Sequence, residues 1–190
     1  MTNTFSQFPE FNLGQLRLRA IRASDKPQIF QGLSDPRVTA HYGIAYDSLE
    51  HTELQMQWYA ELLERRQGIW WGLCLAENDS LVGACGFNDW QHQHHQLSLG
   101  YWLLPAYWGR GLMQQALPAI LAYALNHLQV HRIQAEIETE NAASQRLLKN
   151  LGFSYEGTSR DVEFKDGRYL SLQHYSLLSS DAAAQDFRQQ

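Results

Sequence analysis

Gly109 and Gly111 flank Arg110 in the run Trp108-Gly109-Arg110-Gly111-Leu112-Met113, between a strand-like segment and a long helix-like one. Glycines let a backbone approach a ligand closely, and the first amides of a helix have no internal partner. Together with the positive end of the helix dipole, they make an anion site suited to a diphosphate. Taken alone, Gly-x-Gly reads equally well as a tight turn. Further along comes Glu140-Asn141-Ala142-Ala143-Ser144-Gln145-Arg146-Leu147-Leu148-Lys149-Asn150-Leu151-Gly152. Asn141 is a preferred helix cap, and Ser144 shares a helix face with Leu147, Leu148 and Leu151. A hydroxyl there either bonds to the cap in the manner of a capping box or faces a leaving group as a proton donor. Glu163 lies just before Asp166-Gly167, where an exposed strand-end charge is its plain reading. His92, His94 and His95 lack a fourth ligand and read as a solvated turn. Cys74 and Cys85 sit in apolar runs and read as buried thiols.

These residues need a scaffold. Leu16, Leu18 and Ala20 alternate with Arg17, Arg19 and Ile21, giving a first strand with one polar face. Ala23-Ser24-Asp25 and Pro27 start a short helix that stops at Ser34-Asp35-Pro36. Ser48 caps a second helix ending near Gly68. Residues 69–76 and 81–87 form a hairpin, and residues 97–104 a strand stopped by Pro105. A helix over 111–128 carries an awkward Pro118. Residues 132–139 alternate Ile133, Ala135 and Ile137 with Gln134, Glu136 and Glu138. A helix over 141–151 and a hairpin over 154–164 and 168–178 complete the chain. The class is α+β with a mixed sheet. Residues 1–190 read as one domain with a core over 15–178 and weakly ordered tails at 1–14 and 179–190.

Composition narrows the function. Hydrophobic residues are 44% and charged residues 18% of the 190, as in a globular chain. Lys plus Arg number 15 against 20 Asp plus Glu, a net charge of -5 that argues against nucleic acid or a membrane surface as partner. No apolar run approaches a bilayer span and the first residues do not resemble a signal peptide, so the expected location is cytoplasmic. Two cysteines cannot build a four-ligand zinc site, and no metal is expected.

The glycine loop and the Asn141–Gly152 run, in this order, resemble the two cofactor motifs of the GNAT acetyltransferase superfamily. Leu16-Arg17-Leu18-Arg19 before Ser24-Asp25, and Leu99-Gly100-Tyr101-Trp102 before the glycine loop, are similar to its RimJ/RimL type, which acetylates protein N-termini. The similarity covers residues 15–178. It implies acetyl-CoA as co-substrate and a seven-stranded, mostly antiparallel sheet with two splayed parallel central strands, 97–104 and 132–139. It further implies that residues 108–113 (Trp108, Gly109, Arg110, Gly111, Leu112 and Met113) hold the pyrophosphate and that Asn141 hydrogen-bonds the pantetheine arm. A backbone amide of the splayed strand, assigned to Leu103, meets the reaction's oxyanion. Ser144 protonates the leaving thiolate, and Glu163 matches a carboxylate proposed as base.

This chain departs from the family pattern at four positions. Trp108 replaces Gln or Arg, and Met113 replaces a small residue that leaves the loop uncrowded. Leu148 replaces a Tyr proton donor. Ser98 replaces a Glu and could only position a water. Corresponding family regions place His41, Tyr42 and Trp90 near the acceptor, although aromatic loop residues are as often core plugs. The expected activity is direct acetyl transfer to a primary amine, with a protein N-terminus of the ribosomal-protein type as acceptor. A small-molecule amine, or a CoA sensor without turnover, are the alternatives. Monomer and homodimer are both compatible with the sequence.

Overall fold

The computed structural model describes residues 8–189. Its first strands are β1 (Phe11–Leu13) and β2 (Leu16–Ala20). Three helices follow, α1 (Lys26–Leu33), α2 (Pro36–Thr39) and α3 (Glu53–Glu64). Next come β3 (Ile69–Leu75), β4 (Leu81–Gln91), β5 (Gln96–Leu103) and α4 (Leu112–Asn126). The chain closes with β6 (Arg132–Glu138), α5 (Ala142–Asn150), β7 (Ser154–Lys165), β8 (Arg168–Leu178) and α6 (Ala182–Arg188). The strands form one mixed α+β sheet in the order β1-β2-β3-β4-β5-β6-β8-β7. Its parallel pair, β5 with β6, has the register Gln96↔Arg132, Leu97↔Ile133 and Ser98↔Gln134. The sheet has eight strands rather than seven. The addition is β1, whose three residues are too short to show alternation in sequence.

The chain divides into two compact units. The first holds the described residues up to Asn88, together with Gly100–Leu117. Its core packs Ile29, Leu33, Tyr59, Leu62, Trp70 and Trp102. Trp102 Nε1 donates to the Tyr59 hydroxyl at 3.2 Å. Gly32 makes room for this indole: a Cβ there would lie 2.3 Å from Trp102 Cζ3. Cys74 and Cys85 are buried free thiols, each pushed up to about 12 by desolvation.

Local chemistry departs from the sequence reading at two places and adds to it at a third. Arg19 is not on a solvent face but 2% exposed, forked onto Asp25 at 2.8 and 2.9 Å and bonded through Nε to Asp79 at 2.9 Å. Ser34-Asp35-Pro36 stops α1 at Leu33 as expected and also starts α2, where Asp35 caps the helix by accepting the Arg37 N–H at 2.9 Å. The Ser48 hydroxyl accepts the His51 N–H at 3.1 Å, so it closes a turn ahead of α3 instead of capping it.

The second unit holds Asp89–Leu99 and the described residues from Pro118 onward. Ile120, Leu121, Ile133, Ala135, Leu148 and Leu177 are buried in it. Pro118 is tolerated inside α4 because the carbonyl it leaves without a partner belongs to Gln114, an exposed residue. Asp166 and Gly167 adopt φ values of 49° and 79°, as a type I′ hairpin turn requires. The expected frayed C-terminus is instead α6, with Ala184 and Phe187 buried. Its apolar contacts are small alanines and one aromatic, a pattern that polar neighbours mask in sequence.

Glu156 on β7 accepts from Arg132 at 2.8 Å and from the Ser176 hydroxyl at 2.7 Å. Arg132 foremost, then Ser176, depress its carboxyl from 4.5 to about 2. A depressed carboxyl stabilises the fold fully above its unfolded value, and that contribution fades as pH falls from 4.5 toward 2. The pair is partly exposed, so the effect is at most about 1 kcal/mol. In urea melts, Glu156→Gln should be less stable than wild type near neutrality and indistinguishable from it at the acid end.

Candidate active site

The glycine loop lies in the first unit. Strand β5 ends at Leu103, and Leu104 N–H donates to Val82 O at 2.8 Å. Successive strand amides point to opposite edges, so the Leu103 N–H faces away from β4. Leu103 O accepts from Trp108 Nε1 at 2.7 Å, which ties the loop back to the strand end. Trp108 therefore anchors the loop through its indole, where the family uses a polar residue. Gly109 and Gly111 adopt φ values of +71° and +72°, and a Cβ on either would meet nothing within 4 Å. Arg110 is exposed and lies 5.1 Å over the Tyr107 ring. Helix α4 makes its first bond from Gln115 N–H to Gly111 O, at 3.0 Å. The amides of Leu112, Met113 and Gln114 thus precede the helical ladder, where an anion can take them. Met113 is buried, 8% exposed.

Ser98, Asn141, Ser144 and Glu163 lie in the second unit. Asn141 caps α5, its Oδ1 accepting the Ser144 backbone N–H at 3.1 Å. Of the two readings of Ser144, the hydroxyl bond to the cap is not found among the described residues. The cap is satisfied by the backbone donor at the third helical position, as cap geometry prefers. Ser144 is half-buried, and its hydroxyl has no hydrogen-bond partner among the described residues. The Ser98 hydroxyl accepts from Gln134 Nε2 at 3.2 Å across the parallel pair. Glu163 is exposed on β7, opposite Leu170. Glu136 and Glu138 share one face of β6. Glu136 contacts His174, and Glu138 is 8% exposed with Lys165 at 3.9 Å. Arg146 and Lys149 are exposed on α5.

Two aromatic candidates have structural tasks. Tyr42 packs against the first unit's core, and the Trp90 and His92 rings lie 4.1 Å apart, tilted by 32°. Among the described residues, no group of three His, Cys, Asp or Glu side chains is placed to hold a metal ion, and no helix is long and apolar enough to cross a membrane. Sequence reading missed the side-chain line Glu136–His174–Ser159, whose members are remote in sequence and meet only through strand register.

Comparison with known proteins supplies the family. Residues 15–154 match the model of the acetyltransferase (GNAT) domain. The uncharacterized N-acetyltransferase YoaA of Bacillus subtilis is 31% identical over 172 residues, 90% of this chain and 97% of that protein. The [ribosomal protein uS5]-alanine N-acetyltransferase of Escherichia coli is 31% identical over 110 residues, 57% of each chain. The spermidine N-acetyltransferase from Vibrio cholerae, solved with CoA and spermine, has the same fold at a TM-score of 0.78. It is 22% identical, covering 87% of this chain and 96% of that one. An open glycine loop ahead of free helix amides suits a CoA diphosphate, and the matched domain spans that loop: the chain belongs to the GNAT N-acetyltransferases, enzymes that take their acetyl group from acetyl-CoA.

Proposed function

We propose that the protein acetylates a primary amine, namely the α-amine of a protein or peptide N-terminus, by direct attack in a ternary complex. The observation that carries this assignment is the Ser144 hydroxyl. It is half-buried in the first turn of α5 and without a partner while its own backbone amide is capped. A structural serine would spend that hydroxyl on the cap; a proton donor must keep it for the ligand. The E. coli relative's alanine acceptor on a ribosomal protein supports a protein N-terminus, and a ribosomal protein is the corresponding candidate partner.

Acetyl-CoA supplies the activated acetyl thioester. The loop amides from Gly109 to Met113 hold its pyrophosphate, with Arg110 as a nearby cation. Asn141 has spent its Oδ1 on the helix, so its Nδ2 is the group left to donate to the pantetheine arm. The Leu103 N–H takes the negative charge that develops on the thioester oxygen. Ser144 Oγ–H protonates the departing sulfur. Ser98 bonds Gln134 and can hold a water, while Glu163 is the exposed carboxylate that matches the family's proposed base.

Two measurements test this. Gly111→Val puts a β-branched residue at a positive φ and fills the open loop, so the KM for acetyl-CoA should rise at least about tenfold with the fold retained. A competition between an alanine-initiated peptide and spermidine, read by product mass, should acetylate the peptide's α-amine. Acetylation of spermidine alone would move the acceptor to the small-molecule class.

A further inference from the structure

The β7–β8 hairpin has two unlike faces. Its register pairs Phe164 with Tyr169, Thr158 with Gln173 and Tyr155 with Tyr175. Side chains alternate along each strand, so Tyr155, Thr158, Phe164 and Tyr169 share one face, and Val162, two residues from Phe164, joins them. On this face Phe164 and Tyr169 are each 66% exposed, Tyr155 is 52% exposed and Val162 is 50% exposed. The opposite face buries Leu170 and Leu172 and carries the register pair Lys165 and Arg168. Those two cations have carboxylates beside them, with Glu138 at 3.9 Å from Lys165 and Glu140 at 2.8 Å from Arg168. Large apolar side chains therefore stand in water on the face that the paired charges avoid, the mark of an interaction surface.

We propose that this face is the interface of a homodimer, in which a second copy of the chain packs the same four side chains against the first about a two-fold axis. Together Phe164, Tyr169, Tyr155 and Val162 expose about 400 Å², roughly half of the ~800 Å² per partner that a stable interface buries. Thr158, Ser171 and Gln173 lie on the same face and extend it with uncharged surface. The Phe164 and Tyr169 rings already touch, with centroids 5.0 Å apart, so docking them costs little side-chain freedom. Charge favours a like partner here. The chain carries a net charge of -5, so two copies repel over most approaches and meet best where charge is absent or self-complementary. At the bulge, Arg160 and Asp161 are neighbours of opposite sign, which an antiparallel copy can match reciprocally. The face docks rather than the strand edge. Although β7 ends the sheet, its ladder slips between Ser159 and Glu163 and Asp161 has a φ of 52°, so the edge cannot template a continuous strand.

The dimer does not depend on acetyl transfer, and either stands if the other fails. Sedimentation velocity of the full chain from about 1 μM to about 100 μM tests it. At the upper end the mass should be twice 21.9 kDa. Phe164→Lys and Tyr169→Lys, both at exposed positions, should each raise the dimer Kd at least about 30-fold, with circular dichroism and the urea midpoint unchanged. Leu54→Lys, an equally bulky exposed site in the first unit, should leave the dimer intact. A monomer at every concentration overturns the proposal, as does a dimer that withstands both hairpin variants or dissociates as readily with Leu54→Lys. Hydrogen exchange of wild type at the two ends of that range needs no variant. Amides of β7 and β8 should gain protection as concentration rises; protection gained only elsewhere overturns this face as the interface.

Discussion

Ser144→Ala should lower kcat by about 10²- to 10³-fold while acetyl-CoA binding stays within about twofold. The expectation rests on what the substitution leaves intact. Asn141 accepts from the backbone N–H of residue 144, which alanine retains, so the cap survives. The removed oxygen has no protein partner to orphan among the described residues. Stability should therefore move by less than about 0.5 kcal/mol. Asn141→Ala is the useful contrast, since it removes the cap itself and should cost about 1 kcal/mol. A fall in kcat without a fall in stability places Ser144 in the chemistry. A chain that binds CoA only as a sensor would show no change in any rate.

Arg19→Ala should destabilise the protein by about 3–5 kcal/mol, the range for removing one partner of a buried ion pair. Arg19 and Asp25 are 2% and 5% exposed, and Asp79 and the Ala20 carbonyl also accept from the same guanidinium. These bonds, Asp25 foremost, raise the affinity of Arg19 for its proton, so it stays charged at any working pH. Alanine would leave the Asp25 carboxylate buried without its cation while Asp25 still accepts from the Arg22 N–H at 2.7 Å. Urea denaturation reads the loss directly. Replacing both Arg19 and Asp25 with apolar residues of similar volume should recover much of it, because a matched apolar pair avoids the desolvation cost. A double variant as unstable as Arg19→Ala would show that the cluster's bonds to Asp79 and the backbone dominate.

Legibility in the sequence followed the range of the interactions. Strand β6, the Asp166-Gly167 turn and the span of α4 follow from local alternation, turn chemistry and periodicity, and all are found. The glycine loop was legible because its backbone conformation is encoded by residue type alone, at Gly109 and Gly111. Arg19 was misplaced because alternation cannot register a carboxylate arriving from the next turn and another from a hairpin loop, Asp25 and Asp79. The Ser144 hydroxyl was legible as a candidate but its freedom was not, since that depends on which donor Asn141 selects. The Glu136–His174–Ser159 line left no trace in sequence. Its residues belong to three strands, and a β-bulge between Tyr155 and Gly157 helps to set the register.

The central claim is amine-dependent turnover of acetyl-CoA. The direct measurement is free-thiol release from acetyl-CoA by the purified protein, with and without an alanine-initiated peptide, for wild type and Ser144→Ala. The account predicts thiol release that requires the amine, matches the acetylated peptide mole for mole, and collapses in Ser144→Ala. Tight acetyl-CoA binding with no amine-dependent thiol release across peptides, polyamines and other primary amines would contradict it.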